Sequence, residues 1–197
     1  MSHLVPVHGG LTDLVNRIVN DEEKAAFTAH AEGLSQKLEL SVADKSTFQR
    51  IADGALSPLV GPMNEAVYLG VLENSTINSM GQDYAWTIPL AFPMTDEEQQ
   101  SINAGDEVAV YCQDVLLGTL SVESVYTWDK AAYNQSVYGT DRTDHPGARI
   151  VNNDDRGWLC GGTIRSLPWN PHPGYGQFEM SPAETRAFFQ ENRFERA

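Results

Sequence analysis

The richest run of reactive side chains in this chain lies between Tyr138 and Ala148, YGTDRTDHPGA. Thr140, Asp141, Arg142, Thr143, Asp144 and His145 follow one another there. An imidazole beside a carboxylate suits general acid–base work, and facing an open cleft it would suit a sulfate or phosphate. Gly139, Pro146 and Gly147 punctuate the same stretch. Glycine opens backbone conformations closed to other residues, and proline fixes one dihedral. Pro146 turns His145 away from helical geometry, and Gly147 lets the chain reverse behind it. Asp141 and Asp144 can each accept a hydrogen bond from the imidazole or from loop N–H groups, so the spacing predicts a tied-down loop with His145 bonded inside it and not free as a base. Thr140, Asp141, Asp144, His145, Pro146 and Gly147 are the candidate site residues of this loop.

A second shaped stretch is GALSPLVGPM, Gly54 to Met63. Its large apolar residues predict a loop packed against the body, and Gly54, Ser57 and Pro58 join the candidates. Ser57 with the pair Asp144-His145 does not make a convincing hydrolase triad. Pro58 follows the serine, and the glycine-flanked elbow that presents a nucleophile is missing.

Other reactive patterns were sought and not found. The sequence has no phosphate loop, no dinucleotide fingerprint and no zinc-spaced cysteine pair. None of His3, His8, His30, His145 and His172 has another histidine three or four residues on. His8 beside Gly9-Gly10 reads as a satisfied loop residue. Glu22-Glu23 and Glu97-Glu98 read as first-turn helix charges. No cofactor and no metal is expected. The charge balance of 13 basic and 27 acidic residues, net −14, argues against a nucleic-acid partner, which calls for a basic face. Cys112 and Cys160 each sit in an apolar run, which predicts packed thiols in a reducing compartment. No apolar run is long enough to cross a membrane, and the chain opens with no signal peptide, so a cytoplasmic protein is expected.

The elements that must hold these loops read as follows. A helix is predicted over Asp21–Glu32 and a short strand over Leu38–Val42. A second helix follows, capped by Asp44 and closed by Gly54, and a third is capped by Asn64. A strand with an edge or bulge at Pro89 is predicted from Tyr84 to Phe92. Thr95 and Glu98 form a capping box for a short helix. Strands are expected over Glu107–Cys112 and over Val115–Trp128, bent at Gly118, then a helix capped by Asp129. A polar loop from Asn152 to Arg156 leads into a strand containing Gly161-Gly162. Ser181, Pro182 and Glu184 open a final helix. Strands and helices do not alternate regularly, so a small mixed sheet or half-closed barrel of α+β class fits better than a doubly wound sheet.

Several of these pieces together resemble the N-terminal part of the sulfate adenylyltransferase (ATP sulfurylase) family. They are VHGG at Val7–Gly10, GALSPLVGPM, IPLAF at Ile88–Phe92, GDEVAVY at Gly105–Tyr111 and GTLSVESVYTWD at Gly118–Asp129. YGTDRTDHPGA, the Gly161-Gly162 strand and SPAETRAFF at Ser181–Phe189 complete the order. The resemblance implies a PUA-like domain over 1–180 and a terminal helix, 181–197, leading towards a nucleotidyltransferase domain. In this family that domain makes adenylyl sulfate and pyrophosphate from ATP and sulfate. Its Gln-Thr-Arg-Asn and paired-histidine motifs lie beyond such a helix, so this chain is expected to be inactive alone and to dock on the catalytic domain of the same or a companion chain. Leu56 and Pro62 stand where the family usually carries aromatics. A homo-oligomer is left open. The alternatives are a stand-alone PUA-like module for RNA or a small ligand, and an independent enzyme using the Asp144-His145 loop.

Overall fold

A computed structural model describes residues 4–194; His3 lies outside that range. A five-stranded mixed sheet, ordered β1-β5-β6-β7-β4, organises the molecule. Its strands are β1 (Lys37–Glu39), β4 (Phe92–Met94), β5 (Glu107–Cys112), β6 (Val115–Thr127) and β7 (Trp158–Ser166). Only β1 with β5 is parallel; the other pairs are antiparallel. The sheet curls as a half-closed barrel, so the α+β expectation holds. The hairpin of β2 (Thr76–Ser79) and β3 (Gln82–Ala85) stands apart from it.

Among the described residues seven α-helices flank the sheet: α1 (Asp21–Glu32), α2 (Val42–Ala52), α3 (Glu65–Asn74), α4 (Asp96–Ser101), α5 (Lys130–Tyr138), α6 (Pro146–Asn153) and α7 (Pro182–Glu191). Their starts follow from short polar side chains that accept a hydrogen bond from an otherwise orphaned N–H. Asn64, Thr95, Asp129 and Ser181 do so where the sequence places them, and Thr95 and Ser181 complete capping boxes with Glu98 and Glu184. The core is aliphatic and aromatic, with Leu38, Phe48, Phe92, Val108, Leu120 and Ile164 all at most 1 % exposed. Cys112 and Cys160 are buried free thiols within it.

Three expectations are corrected. The cap of α2 is Ser41, whose hydroxyl accepts from Asp44 N, so the helix starts at Val42 and β1 ends at Glu39. The run from Tyr84 to Phe92 is two separate strands: β3 stops at Ala85, and Trp86 Nε1 donates to Ile88 O across the turn between them. Pro89 lacks the N–H a ladder needs, and the chain enters the sheet only at Phe92. Finally, the residues after His145 form α6 instead of running on as loop. A proline disfavours helix at the residue before it but is well placed in the first turn itself.

Candidate functional site

Two backbone loops and one cavity carry the candidate residues. The 138–148 loop is built on α5 and α6. Gly139 ends α5 in a left-handed conformation, φ 69°. Thr140 Oγ1 accepts from Arg142 N, and Asp141 O accepts from Asn152 Nδ2 on α6. Asn152 Oδ1 in turn accepts from Asn134 Nδ2, a fully buried side chain of α5. These bonds tie loop and helices together. Arg142 and Asp144 pair at 2.7 Å with both side chains well exposed, an arrangement worth little to stability.

His145 caps α6. Its Nδ1 accepts from Ala148 N at 3.3 Å, so the neutral ring carries its proton on Nε2. The ring lies against Tyr138, centroids 4.8 Å apart. Gly147 leaves room for the tyrosine, since a Cβ there would stand 2.5 Å from Tyr138 Cζ and the ring would have to shift. In this geometry the nitrogen a base would use is occupied by a backbone N–H. We expect His145→Ala to cost about 1 kcal/mol through the lost cap, a fall of roughly 2–4 °C in Tm for a chain of this size. The fall should be the same with and without added sulfate. An unchanged unliganded melting curve together with loss of a sulfate-induced rise would assign the imidazole to a ligand instead.

Gly54, Ser57 and Pro58 lie elsewhere and face inward. Ser57 is 5 % exposed; its Oγ donates to Gly54 O and accepts from Val15 N at 3.0 Å. Gly54 has φ 84°, and a Cβ there would run into Val15 O. Pro58 fills the space over Gly9. This loop therefore clamps the N-terminal segment to the body. Its second half runs beside β7: Gly162 N donates to Pro62 O and Ile164 N to Val60 O. Among the described residues no hydrogen bond joins the two candidate loops. His8 is a satisfied loop residue, its Nε2 bonded to Ala85 O.

Sequence reasoning missed the groups between the loops. A cavity of about 260 Å³ lies under α5 and α6, lined by Tyr68, Trp128, Tyr133, Tyr138, Leu90 and Leu159 among others. At one end, Arg156 binds Asp154 through Nε and Nη2 and Asp44 through Nη1. Burial pushes the Asp154 carboxyl up, but the hydrogen bonds and charge of Arg156 outweigh it and hold it below the usual aspartate value. Burial raises the Tyr68 and Tyr133 phenols. Asp44, Tyr68 and Arg156 are so far apart in sequence that no local pattern brings them together. A larger cleft, about 1140 Å³, separates the body from the segment leading to α7; Lys45, Arg50, Trp169 and His172 line it. Among the described residues no cluster of His, Cys, Asp and Glu is fit to hold a metal ion, and no helix is long and apolar enough to cross a membrane.

Curled mixed sheet, flanking helices and the two clamped loops define a PUA-like domain: the model of that family matches residues 5–168, and the chain belongs to it. The relatives are more particular. The sulfate adenylyltransferase of Pyropia yezoensis is 40% identical over 195 residues, 98% of this chain and 45% of its own length. That of Staphylothermus marinus is 35% identical over 188 residues, 95% of this chain and 47% of its own length. The chain thus spans about half the length of the curated relatives it matches. A solved structure, the hexameric APS kinase from Thiobacillus denitrificans, superposes with a TM-score of 0.70 at 23% identity over 96% of this chain and 32% of that one. At that identity the likeness speaks for the fold alone.

Proposed function

We propose that this chain is a non-catalytic domain of the sulfate adenylyltransferase type, which docks on a nucleotidyltransferase domain and positions it for the conversion of ATP and sulfate to adenylyl sulfate and pyrophosphate. The observation that carries this is α7. It has no buried residue, yet its Phe188 and Phe189 and the following Phe194 pack tilted or edge-on against one another with centroids 5.6–6.3 Å apart. Phe188 and Phe194 remain 44% and 42% exposed. An aromatic face left uncovered by its own domain marks a contact surface. Relatives twice as long supply the kind of partner that would cover it. On this reading the domain proper runs over 1–180, and 181–197 belongs to the interface. The exposed 140–145 loop is a second candidate contact, whereas Gly54, Ser57 and Pro58 act as internal clamps. Buried thiols fit a cytoplasmic setting.

Two measurements test this. Purified chain with ATP, sulfate and Mg²⁺ is expected to release no pyrophosphate above a buffer blank, because adenylyl transfer needs fixed donors for the developing phosphate charge. Grafted in place of the matching segment of the Pyropia yezoensis enzyme, the same chain should support adenylyl sulfate formation, and Phe188→Ser with Phe189→Ser should abolish it. Turnover by the chain alone, or a graft whose activity ignores both substitutions, would refute the proposal.

A further inference from the structure

The cavity beneath α5 and α6 has a feature that packing alone leaves unexplained. Tyr68 is 4% exposed, and its hydroxyl has no hydrogen-bond partner; nor has the Nε1–H of Trp128. The indole stands close enough to favour the ionised phenol slightly, but the two groups do not reach hydrogen-bond geometry. Buried donors without acceptors are rare in folded proteins, because each gives up its hydration for nothing. Both residues line the same cavity. The remaining walls are aromatic and aliphatic: Tyr133 stacks at 22° to Tyr68 and meets Trp128 and Tyr138 edge-on.

The charged groups that line the cavity are paired with one another. Asp44 and Asp154 are matched by Arg156 at 3.1 and 2.7 Å. Lys130 covers the Trp128 ring at 5.1 Å and donates to Asp154 O. An ion entering here would lose its hydration, and the carboxylates and guanidinium of the lining are already engaged with one another. We propose that this cavity binds a small, uncharged aromatic heterocycle, stacked among the tyrosines and accepting hydrogen bonds from Tyr68 Oη and Trp128 Nε1. About 260 Å³ accommodates a fused bicyclic ring and leaves no room for a long substituent. The exposed side chains of Ser41 and Ile150 stand at the rim, where such a ring would enter. This site is independent of α7 and of the docking role.

The test is a titration of the full chain, with the Trp128 indole N–H followed by two-dimensional NMR and assigned through Trp128→Phe. Quinoxaline offers ring-nitrogen acceptors and no donor. Indole has nearly the same shape with a donor and no ring acceptor. Tetramethylammonium and benzoate supply the two charges. Quinoxaline should shift the Trp128 signal saturably, with indole roughly a hundredfold weaker and both ions without effect, the difference corresponding to two hydrogen bonds. Tyr68→Phe removes only the unpaired hydroxyl and should weaken quinoxaline about tenfold while the protein stays folded. Saturation-transfer signals on the ligand give the same comparison independently of the tryptophan. Binding that indole matches, that either ion exceeds, or that Tyr68→Phe leaves unchanged would overturn the assignment, as would no binding by any probe.

Discussion

Gly61→Ala should be among the most damaging single-methyl additions in this protein. A Cβ at residue 61 would fall inside van der Waals contact of the Gly162 carbonyl oxygen and 2.9 Å from its carbon. Neither partner is a flexible side chain. Gly162 is held from both sides: its N–H donates to Pro62 O at 2.9 Å, and it pairs with Val122 in the ladder of β6 with β7. Gly161 makes the reciprocal approach, since its own Cβ would meet Met63 O and the Asn64 nitrogen. Met63 O also accepts from the buried Tyr126 hydroxyl at 2.8 Å. A methyl group at residue 61 must therefore push the loop off the sheet and break several bonds at once. Overpacking of this kind costs roughly 3 kcal/mol or more, equivalent to a fall of about 6–12 °C in Tm for a chain of this size. Thermal unfolding of Gly61→Ala beside Gly70→Ala decides it. Gly70 has nothing within 4 Å of its would-be Cβ, lies inside α3 and should gain slightly from alanine. Equal behaviour of the two variants would show that the loop is not clamped to β7.

Arg156→Ala should be nearly as costly, and its cost should depend on pH. The guanidinium joins α2, the end of α6 and β4, through Asp44, Asp154 and Pro93 O. All three charged side chains are only 16–19% exposed. Removing the cation leaves two carboxylates with poor solvation and no partner, a loss of roughly 3 kcal/mol once partial exposure is allowed for. Asp154 is depressed in the native protein by Arg156. A depressed carboxylate contributes stability that is present above its unfolded value, about 4, and is lost as pH falls below that through the depressed native value. In the variant that depression is gone, and burial drives Asp154 towards the neutral acid. The gap between native protein and Arg156→Ala should therefore be widest near neutrality and should narrow as pH falls, first through the raised value of Asp154 in the variant and then through its depressed native value. Urea unfolding at a series of pH values measures it. A gap independent of pH would mean that Arg156 acts by packing alone.

Much of the local structure was legible in the residues. Caps announced themselves wherever a short polar side chain preceded a good helix former, as at Asn64, Thr95, Asp129 and Ser181. The expectations that failed were those in which two local preferences competed. Ser41 and Asp44 are both good caps, and Ser41 takes the role while its hydroxyl bonds to Asp44. Pro146 keeps His145 out of helical geometry and at the same time starts α6, so one residue carries two opposed local signals. In the Tyr84–Phe92 run, strand-forming residues continue past Ala85 with no neighbouring strand to pair with.

The sequence by itself determined the class of the protein. The order of elements pointed to an α+β domain, the acidic composition spoke against a nucleic-acid partner, and the resemblance carried by eight ordered motifs implied the PUA-like family that residues 5–168 match. It also marked which loops are shaped, since glycine and proline act on their own backbone and need no partner to be read. Only the tertiary structure decided what those loops do. It turned Gly54, Ser57 and Pro58 inward as a clamp on the N-terminal segment and engaged His145 Nδ1 as a helix cap. It also assembled Tyr68, Trp128 and Tyr133 around one cavity with Arg156 at its end. The reason is the range of the forces: capping and turn preferences act over three or four residues, whereas burial, charge pairing and close backbone approach depend on neighbours that only the folded chain brings together.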